Sequence, residues 1–281
     1  MDLLSGLEKF GFKNFGNMEI YKNTDKEVEL EPDSKPKKIV YQEKDFLFDK
    51  SYECPVCCKS FKSKAVRSGK LRLLESEKDL KPVYEQMEPL KYDVVFCPYC
   101  GYAVLTRFFG GLTSTQIKAI RKEISSSFQP SVVGNDVYSY EEALIRYKFC
   151  LASTIVKHGK SSEKAYVCLK AGWILRDMGK ELDEEDPEYK IKLESCRNQE
   201  KEFLKNALEG FVIARQSENY PVCGMDESTL DYLIAVLAME VEKLDVASKL
   251  ISNILVSKSA NNRIKDKARA LKEELLSVKN I

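Results

Sequence analysis

One histidine and one tryptophan stand in a chain of 281 residues. A single imidazole leaves no Ser-His-Asp arrangement to assemble, and neither a phosphate-cradling glycine-rich loop nor an evident pair of carboxylates in a pocket context offers another catalytic route. The sequence therefore leads us to expect no enzyme. Charge of one sign is also lacking, with 45 Lys and Arg against 44 Asp and Glu for a formal net charge of +1. No global field is present to hold a polyanion or an acidic membrane, so any such contact has to come from a local patch. Uncharged apolar runs of the roughly 18 residues that a membrane span needs are missing. The start, MDLLSGLEKF, carries Asp2 and Glu8 where a basic leader would carry lysine, which leads to the expectation of a cytoplasmic protein without membrane contact. Nine cysteines are too few for a disulfide scaffold at this length. In a reducing compartment their spacing is read first as metal binding.

Two of the spacings are informative. Cys54-Pro55-Val56-Cys57 and Cys97-Pro98-Tyr99-Cys100-Gly101 are Cys-x-x-Cys pairs set in β-type sequence. Two thiolates three positions apart in a tight turn can face one ion while the turn's amides donate to the sulfurs. Proline after the first Cys pre-sets the turn, and Gly101 tolerates the left-handed backbone that closes it. Two such knuckles complete a tetrahedron, and because His158 is distant, four thiolates around one structural Zn²⁺ is the preferred assignment. A thioredoxin-like redox pair and an iron–sulfur cluster are the competing readings. Cys58, next to a ligand, reads as a bystander whose alternative is a reactive thiol. Cys150, Cys168 and Cys196 read as small buried hydrophobes on helices, and Cys223 as half a knuckle without a partner. His158, just before Gly159, reads as a partner for a helix C-terminus.

Between the knuckles, Lys59, Lys62, Lys64, Arg67, Lys70 and Arg72 place six positive charges in 14 residues, with Phe61 among them. Clustered cations with an aromatic platform suit nucleic acid, although a solvated strand face accounts for the same pattern more simply. The acidic run from Glu181 to Glu188 reads as an exposed loop leading into a helix.

Texture divides the chain into a polar N-terminal segment and linker over 1–45, partly flexible around Pro32 and Pro36; a small β-rich zinc-ribbon-like domain over 46–110; and a helical repeat-like domain over 111–281. Cap signals predict helix starts near 114, 140, 162, 187, 229 and 262. Small and large residues from Tyr232 to Leu255 alternate as in a tetratricopeptide-like pair of helices. The expected fold class is mainly α: a four-cysteine zinc ribbon followed by tetratricopeptide-like helical hairpins.

Cys54-Pro-Val-Cys57, Phe61, Val66 to Lys70, Asp79-Leu80, Tyr84, Pro89, Tyr92-Asp93 and Cys97 to Ala103, with Lys164-Ala165, Ala171, Trp173, Arg176 and Tyr232-Leu233 further on, resemble the bacterial family called domain of unknown function 2225. The resemblance spans roughly residues 46 to 278. It implies a zinc-binding helical-repeat protein of the bacterial cytosol with no established activity. From these readings we expect a non-enzymatic adaptor whose helices hold a protein or peptide partner. Nucleic-acid binding through residues 59–72 and thiol-redox sensing through Cys58 are the alternatives.

Overall fold

Leu47–Glu53 and Ser60–Val66, here β1 and β2, form an antiparallel ribbon in which Tyr52 lies opposite Phe61 and Phe48 opposite Ala65. The turn that joins them is the first knuckle, so the strands deliver Cys54 and Cys57 to the end of the ribbon. The computed structural model describes residues 42–130 and 136–279. The flexible linker read around Pro32 and Pro36 lies outside them. Of the predicted N-terminal segment, Gln42 to Asp45 is described. Glu43 there is tied to the body through Lys91 at 2.8 Å and the Tyr92 hydroxyl at 2.8 Å.

Four short strands follow as two more antiparallel pairs: β3 (Leu73–Ser76) with β4 (Pro82–Tyr84), and β5 (Val94–Phe96) with β6 (Ala103–Leu105). The β5–β6 turn is the second knuckle. All six residues of this last hairpin are buried, because it lies under a helix and not at the surface.

Seven α-helices follow among the described residues: α1 (Ser114–Ile120), α2 (Tyr140–Val156), α3 (Ser161–Lys180), α4 (Tyr189–Ser217), α5 (Glu227–Glu240), α6 (Leu244–Val256) and α7 (Asn262–Lys279). Several start where a side-chain oxygen satisfies a first-turn amide. Thr113 and Gln116 close a capping box on α1, Ser139 accepts from the Glu142 N–H on α2, and Asn261 from the Ile264 N–H on α7. For α5 the cap is Asp226, accepting from the Thr229 N–H at 2.7 Å, so the helix starts at Glu227, two residues ahead of the predicted start. Asp186 accepts from the Glu188 N–H just ahead of α4.

Short connections join α2 to α3, α5 to α6 and α6 to α7 as hairpins, while α3 and α4 make the most extensive helix contact. Glycine permits that closeness. A Cβ at Gly210 would stand 2.9 Å from the Ala165 Cβ and 3.1 Å from the Ser161 carbonyl, and one at Gly172 would stand 2.9 Å from a Leu204 methyl. The fold is thus mainly α with a small β region.

The change of texture near Gly111 is a change of secondary structure inside one unit, residues 41–281. One core cluster contains Val94, Phe96, Ala103 and Leu105 from β5–β6 together with Leu144, Tyr147 and Cys150 from α2. Polar groups cross the same seam: Ser153 Oγ accepts from the Ala103 N–H at 3.1 Å, and the Tyr147 hydroxyl donates to the Leu90 carbonyl at 3.0 Å.

Candidate metal centre

The two knuckles share a backbone design. In the first, the Cys58 N–H donates to the Cys54 carbonyl (2.8 Å) and the Cys54 N–H to the Lys59 carbonyl (3.1 Å). In the second, the Gly101 N–H donates to the Cys97 carbonyl (3.1 Å) and the Cys97 N–H to the Tyr102 carbonyl (2.8 Å). The residue after the last Cys turns left-handed in both, at φ 58° for Cys58 and 74° for Gly101. Cys58 therefore occupies the position that glycine fills in its counterpart, and its side chain is exposed, away from the four sulfurs.

The Sγ atoms of Cys54, Cys57, Cys97 and Cys100 all lie within 4.8 Å of one another. Cys54 and Cys100 are 3.6 Å apart, and Cys57 and Cys97 are 3.7 Å apart. A disulfide requires about 2.05 Å, whereas thiolates about 2.3 Å from one tetrahedral ion sit about 3.8 Å apart. The spacing fits a divalent thiophilic metal and excludes a bond between the sulfurs. Amide donors complete the fit, with the Val56 and Cys57 N–H groups directed at the Cys54 sulfur, the Tyr99 N–H at Cys97 and the Tyr102 N–H at Cys100. Hydrogen bonds from Cys100 and Cys97 hold the Cys54 thiol far down, to about 2, while the bond to Cys54 pushes Cys100 up to about 12 and the Cys100 and Cys54 contacts push Cys97 up as well. A cation at the centre resolves that conflict, since it favours the thiolate form of all four.

The surroundings brace the site. A π-helical segment, Arg121–Ser125, continues α1 and points the Arg121 guanidinium at the Val56 carbonyl, with Nε 2.9 Å away. Arg121 so clamps the first knuckle and sets a positive charge beside a centre that four thiolates and one divalent ion would leave at about −2. Ile124 and Phe128 close over the second knuckle, where a Cβ at position 101 would meet Phe128 at 2.7 Å.

A family model described as an uncharacterized protein conserved in bacteria (DUF2225) matches residues 47–275. The chain belongs to this family. No curated protein and no solved structure matches it. Three residues on which the resemblance rests meet in space: Trp173 Nε1 donates to Asp79 at 2.7 Å, and Arg176 pairs with the same carboxylate at 2.8 Å.

The six basic residues between the knuckles stand in different surroundings. Lys64 is paired with Asp49 at 3.1 Å and Asp136 at 3.2 Å, Arg72 reaches Glu85 at 3.6 Å, and the Lys59 ammonium lies 4.9 Å from the Tyr99 ring centroid. Lys62 and Lys70 point to solvent. Arg67 donates to the Leu47 carbonyl. Phe61 is buried against Tyr52 with ring centroids 5.9 Å apart, so it offers no platform to a base. The remaining thiols follow their burial: Cys150 and Cys168 are each pushed up to about 12 by loss of solvent. Cys223 belongs to no knuckle. It and Gly224 take positive φ between Val222 and Met225, which bond to each other in both directions, making a tight primed turn. His158 is the left-handed residue that ends α2, its N–H donating to the Ile155 carbonyl at 3.0 Å. No helix among the described residues is long and apolar enough to cross a membrane.

Charge pairing in the interior was invisible in the sequence. Lys81 is 3% exposed between Glu88 and Asp177, each 2.8 Å from its ammonium. Arg176 binds Glu77, Asp79 and Glu200, and Lys170 is paired with Asp93. These pairs fix the segment 77–93 onto α3. The only advance signal was the number of charges in a stretch that also held Leu80, Val83, Leu90 and Tyr92.

Proposed function

We propose that the protein is a zinc-stabilised, non-enzymatic adaptor in which the four-thiolate centre is structural and the tetratricopeptide-like helices form a partner-binding scaffold. The observation that carries this reading is the closed set of four sulfurs, because four protein ligands leave a tetrahedral zinc no position for water or substrate. A groove of about 480 Å³ beside the centre supports the partner role. Phe128 meets Phe96 and Phe149 edge to face along it, Ile145 adds a half-exposed apolar wall, and Glu142, paired with Arg146, and Glu123 complete the lining. That lining suits an apolar side chain of a peptide segment.

Elemental analysis of protein purified without added metal is expected to give one zinc per chain, and iron in its place overturns the zinc assignment. For the groove, affinity capture from a bacterial lysate is run side by side with the unaltered protein and Ile145→Glu. A partner recovered by the first and lost by the second supports the scaffold. Recovery that the substitution leaves unchanged, or no recovery over a range of salt, overturns it.

A further inference from the structure

A second cleft, of about 380 Å³, lies between two walls of different origin. Alternation along β1 puts Phe48, Lys50 and Tyr52 on one face of the ribbon, and that face is the first wall. β4 and the turn after it supply the second, with Tyr84 and Pro89, while Asp93 and Lys170 form the floor. Tyr92 also borders the cleft but stacks on Tyr138, and Tyr52 stacks on Phe61, so both of these rings already have a partner. Phe48, 37% exposed and contacted by the Arg67 guanidinium, and the half-buried Tyr84 have no ring stacked on them among the described residues, one on each wall.

Cations attend the rim. The Lys50 ammonium lies 5.3 Å from the Tyr52 centroid, and the Arg67 guanidinium 5.2 Å from that of Phe48. Lys62 and Lys64 alternate onto the opposite face of the ribbon. Lys50, which lies outside the basic run of residues 59–72, is therefore the lysine of the ribbon that serves this cleft. At the bottom the Asp93 carboxylate is held through Oδ2 by Lys170 and keeps 23% side-chain exposure. Flat apolar walls, a positive rim and an acceptor at depth select a ligand that is planar and aromatic, anionic at one end and a hydrogen-bond donor at the other.

We propose that this cleft binds a nucleoside 5′-phosphate, with the base between Phe48 and Tyr84, its exocyclic amino group toward Asp93, and the phosphate on Lys50 and Arg67. The chemistry is the same for a free nucleotide and for the 5′-terminal nucleotide of a single strand. It does not depend on the adaptor reading.

Isothermal titration of the full-length, metal-loaded protein with adenosine 5′-monophosphate, and separately with a 5′-phosphorylated oligodeoxyadenylate, tests both sources. Saturable binding of at least one is expected. Phe48→Ala and Tyr84→Ala remove stacking and Lys50→Ala a phosphate contact, each weakening binding about tenfold, while Lys62→Ala leaves it within about twofold. These side chains are exposed or half-buried, and circular dichroism checks that each variant folds. Equal affinity for the two probes assigns the site to free nucleotide, and much tighter binding of the oligonucleotide assigns it to a strand end. Absence of saturable heat from both at about 1 mM ligand overturns the proposal. So does a loss with Lys62→Ala as large as that with Lys50→Ala, because binding then follows strand charge and not the cleft.

Discussion

Cys58 and Gly101 occupy equivalent left-handed positions, yet only one of them is glycine. A side chain with a Cβ pays about 1–2 kcal/mol for that backbone, offset in part by the extra freedom glycine has when unfolded. Cys58→Gly is expected to raise stability by about 0.5–1 kcal/mol in chemical denaturation with metal content unchanged. Ligand substitution has the opposite outcome: Cys97→Ser removes one of four sulfurs, and elemental analysis is expected to find the metal largely lost, with several kcal/mol of stability gone. The same two measurements, metal content and chemical denaturation, separate the variants, because one residue shapes the turn and the other closes the centre.

Most of the metal site was legible at this scale. The spacing of Cys54, Cys57, Cys97 and Cys100, the proline after each first Cys and the glycine at 101 are local features, and the geometry of a knuckle is local too. Arg121 was not legible. It reaches Val56 across 65 positions, and only the π-helical segment that follows α1 aims it there. Cys223, read as half a knuckle without a partner, stays outside the cluster, and its Cys-Gly pair makes a primed hairpin turn instead.

Among elements, helix starts could be read to within a few residues because caps are side-chain chemistry at fixed offsets, as at Thr113, Ser139 and Asn261. The three-residue strands β4 and β6 could not, since a run that short has no period to detect. The tight α3–α4 contact was equally hidden, because a glycine within a helical pattern does not announce what approaches it. Gly210→Ala tests that contact. Its methyl would stand 2.9 Å from Ala165, and a loss of about 1–3 kcal/mol in chemical denaturation is expected, although alanine favours the helix.

Within the buried ion pairs, Asp177 and Glu77 favour the folded state at neutral pH. Burial raises the Asp177 and Glu77 carboxyls, but the hydrogen bonds from Lys81 and Lys180 to the first, and from Arg176 and Lys180 to the second, outweigh it and leave both lowered. A lowered folded-state value means the contribution is complete above the unfolded-state value near 4 and is lost as pH falls through the folded one. Melting temperatures are therefore expected to fall steeply below about pH 4. Burial pulls Lys81 down, and its bonds to Asp177 and Glu88 raise it overall, so its contribution persists through neutrality and fades only above about pH 10.5. Lys81→Met leaves two carboxylates facing each other in the interior and is expected to cost about 3–5 kcal/mol at neutral pH, partly recovered in mild acid as one of them takes a proton.

The hairpin that carries Cys97 and Cys100 is also a floor beam for α2, whose Ser153 accepts from the Ala103 N–H of β6 and whose Tyr147 donates to the Leu90 carbonyl just ahead of β5. Chelation should therefore not strip off an appendage and leave an intact helical body behind. Ellipticity at 222 nm and near-ultraviolet tyrosine signals are expected to decay together when the ion is withdrawn, and to return together when it is restored. A cut at residue 110 would yield two fragments, each missing the surface against which the other condenses.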